Sequence, residues 1–175
     1  MLKAVRRFGR NRTTKIPYFI YIYRKNHLTK LESLVLREGI TVTMADQLSK
    51  QPPSSSSFIL SYPAQYVLLV TINRPDAMNS IPYYSHWEAH SLFDWFDQEP
   101  SLRVAVITGA GPKAFCAGQD LVEQAQFKVK SPLESTARHP PSGFCGISRR
   151  VGKKPIIAAV NGFALGGGFE ICLNW

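Results

Sequence analysis

Residues 155–175 read PIIAAVNGFALGGGFEICLNW. Ile156 to Val160 form an unbroken apolar run with the length and composition of a strand buried on both faces. Asn161-Gly162 interrupts it, and three consecutive glycines, Gly166 to Gly168, lead at once into the helix-compatible run FEICLNW. Glycine loses more backbone entropy on ordering than any other residue, so three together at a helix start are costly. They are expected where backbone must approach something closely and aim its N–H groups at it. The unpaired donors and positive dipole end of a helix N-terminus make such a turn a site for developing negative charge. Glu170 stands two residues beyond the last glycine, so an acid/base carboxylate lies beside a candidate oxyanion-binding turn. The competing reading assigns the glycines to tight packing and Glu170 to the helix dipole, and spacing does not separate the two. No Gly-Lys-Ser/Thr closes the turn, which excludes a Walker loop.

The same alternation of strand, turn and helix precedes this stretch. YVLLVTIN (66–73) and RVAVIT (103–108) read as buried strands, with RPDA (74–77) as the turn that ends the first. Residues 82–98 are predicted to form an amphipathic helix, with Pro82 near its start and Trp87, Leu92, Trp95 and Phe96 on its apolar side. KAFCAG (113–118) reads as a short extended piece. Asp120 then reads as a helix N-cap, with Glu123 completing a capping-box pattern. Residues 128–143 are polar and proline-bearing, which predicts a mobile loop over the site. Residues 144–152 are predicted to form a short helix carrying Arg149 and Arg150. Strands alternating with helices make the fold class α/β.

The chain has 175 residues, 45% of them hydrophobic, enough for one domain with a real core. Its formal charge of +9 is unevenly placed: residues 1–43 carry ten Lys/Arg and two Glu, whereas the remainder is nearly balanced. The basic character therefore belongs to an N-terminal arm, and nucleic-acid binding by the folded body is not expected. The arm suits a mitochondrial leader, although Pro17 interrupts it; a functionless disordered arm and a true start at Met44 are the alternatives. A weaker idea makes it a tether to nucleic acid or an anionic membrane. KQPPSSSS (50–57) reads as a linker, placing an arm at 1–57 and a folded domain at 58–175. No run approaches the ~18 apolar residues of a membrane span. Cys116, Cys145 and Cys172 are odd in number and lack metal-like spacing, which suggests free thiols in a reducing compartment.

Other sites weigh less. Gly109-Ala110-Gly111-Pro112-Lys113-Ala114 follows a strand and formally matches a dinucleotide fingerprint, with Glu134 twenty residues on. Pro112 and Gly118 leave no room for the crossover helix that this motif requires. His86 and His90 share one helix face, but no third metal ligand accompanies them, and both are expected to face solvent. No G-x-S-x-G supports a serine nucleophile, and the apolar surroundings of Cys116 suggest packing. Two glycine-containing turns remain, CAGQD (116–120) and LGGGFE (165–170). If they converge, two backbone N–H groups can meet one oxygen, an arrangement that stabilises an enolate or tetrahedral oxyanion.

NRPDAMNS (73–80), ITGAGPKAFCAGQDL (107–121) and KKPIIAAVNGFALGGGFEICLN (153–174), in this order, resemble the enoyl-CoA hydratase/isomerase (crotonase) family. The resemblance covers residues 59–174 and implies a spiral of β-β-α repeats that binds an acyl-CoA thioester. It implies an oxyanion hole from the backbone N–H groups of Gln119 and Gly167. It also implies a CoA path along Ala77, Ala117 and Gln119, Asp120, Leu121 and Val122, with Gly167 at its end. Glu170 matches the first of the two hydratase glutamates, a carboxylate expected to do acid–base work in a dry pocket. Gln119 stands where many members carry alanine, and only its backbone is required. No metal or separate cofactor is implied, since coenzyme A is part of the substrate.

Such proteins continue for about as many residues again beyond LGGGFEICLN. That stretch supplies the second glutamate and the helices that build trimers and hexamers, so a truncated chain is expected here, with Ile171 and Leu173 left unpartnered. The alternative to an enzyme of fatty-acid or specialised acyl metabolism is thus an inactive remnant that binds acyl-CoA or a full-length paralogue. The family implies mitochondria or peroxisomes, with the cytoplasm as alternative; this C-terminus carries no peroxisomal address.

Overall fold

The computed structural model describes residues 47–130 and 139–173. Positions 1–46 of the expected arm, positions 131–138 of the expected loop, and Asn174 and Trp175 lie outside the described residues. A strand not expected from the sequence, β1 (Phe58–Ala64), pairs antiparallel with β2 (Val67–Ile72). From β2 onward one unit is repeated three times: a strand, a short extended piece, then a helix. β2 leads through Ile81 to α1 (Tyr83–Gln98); β3 (Val104–Gly109) and β4 (Ala114–Cys116) lead to α2 (Leu121–Lys130); β5 (Ile156–Ala158) and β6 (Phe163–Ala164) lead to α3 (Gly167–Leu173).

The long strands lie in the order β1-β2-β3-β5, the last two junctions parallel, with Val67 opposite Val104 and Ala105 opposite Ile156. The short pieces form a second tier, β4 parallel to β6 and Ile81 bridging Gln119. Parallel neighbours require a crossover, and the helices supply it. This stacking is the spiral of β-β-α units that the motifs imply.

β2 and β3 bury every second residue rather than both faces: Leu68, Val70, Ile72, Ala105 and Ile107 are fully buried, while their neighbours are only half-buried. The buried set joins Ala89, Leu92, Phe93 and Phe96 of α1 in one core. Burying each large side chain contributes about 1.5–3 kcal/mol. α1 presents only part of the face expected of it: Leu92 and Phe96 are buried, the two tryptophans are not. Trp87 is 45% exposed and Trp95 half-buried, whereas Ser85 and His86 are inaccessible. The buried stripe 85, 89, 92, 96 has helical spacing, but polar residues open it and aromatics on the other faces mask it. The polar members are paired, as burial demands: Ser85 Oγ lies 2.5 Å from Ser57 Oγ.

Residues 49–57 run along α1, with Ser49 and Lys50 donating to Glu99 and Ser55, Ser56 and Ser57 to Glu88. The helix expected at 144–152 is only a single 3-10 turn, Phe144–Gly146. Cys145 (φ 52°) and Gly146 (φ 63°) are left-handed there and cannot propagate a right-handed helix. Residues 128–130, expected in a loop, belong to α2. Ile171, expected to lack a partner, is fully buried, and the exposed apolar side chains of α3 are Phe169 and Leu173. No helix of the described residues is long and apolar enough to cross a membrane.

Candidate active site

The two glycine turns meet. Gly118 has φ +94°, and a Cβ there would stand 2.7 Å from the Leu165 carbonyl oxygen and 3.2 Å from the Gly167 nitrogen. Leu165 N–H donates to Cys116 O at 3.0 Å, locking one turn onto the other. On the far side, Ile81 N–H donates to Gly118 O (2.8 Å) and Asp120 N–H donates to Ile81 O (3.0 Å). That parallel bridge turns the N–H of Gln119 away from Ile81. Among the described residues, neither Gln119 N–H nor Gly167 N–H has a protein acceptor. The pair is a set of unspent donors in two adjacent turns, suited to an oxygen that gains negative charge.

Side chains hold the first turn. Asp120 caps α2, its Oδ1 accepting from Val122 N–H (3.1 Å) and Glu123 N–H (3.2 Å), while its Oδ2 meets Arg74 Nη1 at 2.9 Å. Burial works to raise the Asp120 pKa, but the N–H of Glu123 and the Arg74 guanidinium outweigh it and hold the carboxyl below its ordinary value. The capping box is only half made. Glu123 instead accepts from Tyr83 N–H at 2.7 Å, so a carboxylate at the head of α2 caps α1. Buried Asn79 donates to Ala110 O and Ala114 O, both at 2.8 Å, tying the 74–80 turn to β4. A cleft of about 360 Å³ lies between Pro75, Asp76 and Met78 and the 110–114 turn, flanking Ala77 and bordered by Lys113. Ala117 is half-buried and donates to Met78 O, whereas Leu121 and Val122 are 69% and 72% exposed.

Glu170 lies in the first turn of α3, three residues from Gly167. The dry pocket expected around it is not present in the described residues: Glu170 is exposed, on the same outward side as Phe169, while Ile171 and Cys172 turn inward. Its charge reaches His139 and works to raise that imidazole's pKa. Burial, with help from Arg149, wins and lowers it.

His86 is the residue that sequence reasoning misplaced. It is 0% exposed, its Nδ1 accepting from Cys145 N–H (3.0 Å) and its Nε2 lying 2.9 Å from Gln119 Oε1. The Cys145 donor leaves Nδ1 unprotonated, so Nε2 carries the hydrogen and donates to the Gln119 amide oxygen. Around it stand His139 (ring centroids 4.4 Å apart) and Phe144 (4.6 Å), and the Phe144 ring in turn covers Gly167, where a Cβ would meet it at 2.5 Å. Burial drives the His86 pKa down from 6.5 to about 4, His139 adding to the effect and the Gln119 bond opposing it.

Between those values the unfolded chain binds a proton that the folded chain refuses, so stability is full above pH 6.5 and is lost as the pH falls toward 4. We expect about 2 kcal/mol less stability at pH 5 than at pH 7, read from urea midpoints. His139 contributes in the same direction. His86→Gln should show a clearly shallower pH dependence; an unchanged one would mean that His86 is not held neutral.

The three thiols are free and buried. Burial pushes Cys116 up to about 12 and raises Cys145 and Cys172 as well, so none is poised as a nucleophile.

Residues 63–174 match the sequence model of the family described as enoyl-CoA hydratase/isomerase. A mevalonyl-coenzyme A hydratase of Beauveria bassiana is 50% identical over 130 residues, 71% of this chain and 46% of that protein. A carnitinyl-CoA dehydratase of Escherichia coli K12 is 44% identical over 108 residues, 61% of this chain and 39% of that protein. Among solved structures, a probable enoyl-CoA hydratase/isomerase from Mycobacterium abscessus superimposes with a TM-score of 0.57 at 37% identity, covering 69% of this chain and 44% of that one. The chain thus spans less than half the length of these relatives.

Proposed function

Because the chain belongs to the enoyl-CoA hydratase/isomerase family, we propose that it binds an acyl-CoA thioester with the thioester oxygen between the N–H groups of Gln119 and Gly167. The observation that carries this reading is the meeting of the two turns, the Gly118 Cβ position lying 3.2 Å from the Gly167 nitrogen. CoA would follow Ala117, Asp120, Leu121 and Val122, with the cleft beside Ala77 and Lys113 offering room and a cation for phosphate. Relatives named as a hydratase and a dehydratase favour addition or removal of water over migration of a double bond. In that reaction water oxygen bonds to C3 of a 2-enoyl thioester while Glu170 takes the water's proton. The electron pair of the C2–C3 double bond moves toward the thioester oxygen, where the two N–H donors stabilise it. A proton then returns to C2, and the product is a 3-hydroxyacyl thioester.

A second reading, binding without turnover, draws on the exposure of Glu170, since water around a carboxylate weakens its control of proton transfer. Crotonyl-CoA separates the two. Hydration by the full 175-residue chain supports the enzyme, and binding in equilibrium dialysis without hydration supports the second reading. Absence of both overturns the assignment to acyl-CoA.

A further inference from the structure

A single buried imidazole touches the supports of both free N–H groups. His86 Nε2 donates to Gln119 Oε1 at 2.9 Å, and Gln119 carries the first of the two. His86 Nδ1 accepts from Cys145 N–H at 3.0 Å, and its ring stands edge-on to Phe144, the centroids 4.6 Å apart. That phenyl ring covers Gly167, which carries the second. The 3-10 turn bearing Phe144 and Cys145 is seated directly on α1, for a Cβ on Gly146 would meet His90 N at 2.6 Å.

These contacts supply what the backbone lacks. The backbone braces of the 116–120 turn fall at Cys116, Ala117, Gly118 and Asp120, whereas among the described residues Gln119 itself is held by its side chain. Gly167 has no side chain by which to be held, and a ring packed against it takes that place. The arrangement is unfavourable in one respect. With its oxygen turned to His86, the Gln119 amide leaves Nε2 shielded from solvent and without a partner among the described residues. Local choices that oppose stability concentrate at functional sites.

We propose that His86 is a positioning residue of the site: through Gln119 on one side, and through Cys145 and Phe144 on the other, it holds the two N–H donors where one oxygen can meet both. This rests on the acyl-CoA reading above and deepens it. Donors stabilise developing charge to the extent that they are fixed before it develops, and small displacements are costly.

The test reads the donors through the infrared carbonyl stretch of butyryl-CoA, isotope-labelled at the thioester carbonyl and bound to the full chain. In the wild type the stretch should fall below that of the free thioester, because two N–H groups draw charge onto the oxygen. His86→Phe keeps a ring but neither nitrogen, and should lose most of that shift. Free CoA, which has no thioester oxygen, should bind this variant within a few-fold of wild type. His86→Asn can still accept from Cys145 N–H and His86→Gln can still donate to Gln119, so each should lose part of the shift; these two decide the matter if His86→Phe does not fold. An undiminished shift in folded His86→Phe, or in both partial variants, overturns the proposal and leaves the acyl-CoA reading in place. So does a loss of free-CoA affinity in step with the shift, which marks a merely structural role. Wild-type binding of butyryl-CoA without any shift overturns the placement of its oxygen between the donors, and this proposal with it. Failure of butyryl-CoA to bind at all overturns the acyl-CoA reading as well.

Discussion

On the proposed hydration of crotonyl-CoA, Glu170→Gln is expected to lower turnover by about 10²–10⁴-fold, with little change in KM. The amide keeps the size and much of the hydrogen-bonding capacity of the carboxylate but cannot take a proton from water. The position allows a clean comparison, because Glu170 is exposed in the first turn of α3 and the inward contacts of that helix belong to Ile171 and Cys172. A loss of kcat at an unchanged urea midpoint would tie proton transfer to this side chain. Equal turnover in Glu170→Gln would place the transfer elsewhere and leave Glu170 only as a charge near the helix N-terminus.

The largest effect on stability is expected at the middle of the site's scaffold, in Gly168→Ala. The added Cβ would stand 2.0 Å from Cys116 O and 2.8 Å from Cys116 C, atoms of the β4 backbone that cannot rotate away. Separating α3 from β4 breaks the packing of the third repeat's helix on the second repeat, and a loss of about 3 kcal/mol or more is expected. Its neighbours make the comparison informative. At Gly167 the obstacle is the Phe144 ring, which can shift; at Gly166 nothing lies within 4 Å, and only the left-handed φ of +51° penalises alanine, by about 1 kcal/mol. Urea midpoints should fall in the order Gly166→Ala, Gly167→Ala, Gly168→Ala, the last lowest. Equal midpoints for all three would show that the turn is loose.

That series also shows what could be read from the chain and what could not. The run LGGGFE announces a special turn before a helix, and the alternation of strands and helices announces the class. One letter repeated three times conceals three different causes, however: a backbone angle, a ring and a carbonyl. The ring and the carbonyl belong to Phe144 and Cys116, which lie 20 or more positions away in sequence. The same distance hid His86. Its burial is licensed by Cys145 N–H and Gln119 Oε1, partners 59 and 33 residues on, whereas local periodicity favoured Trp87. The helix at 144–152 failed for a local reason that composition does not reveal, the left-handed backbone of Cys145. Asp120 was legible as a cap because a cap is a contact between close neighbours; the turn of Glu123 toward Tyr83 was not.

The stacking of the three repeats has a consequence for the order in which the molecule can be made. Synthesis runs from the N-terminus, and the 116–120 turn is braced by Ile81 from the repeat before it and by Leu165 from the repeat after it. When the first two repeats have left the ribosome, one brace is available and the other has yet to be translated. The paired donors therefore cannot exist in a nascent chain shorter than about the third glycine turn, and they arrive together, late, as β5 docks beside β3 and β6 beside β4. At any stage of synthesis the pair of donors is therefore either absent or present as a pair.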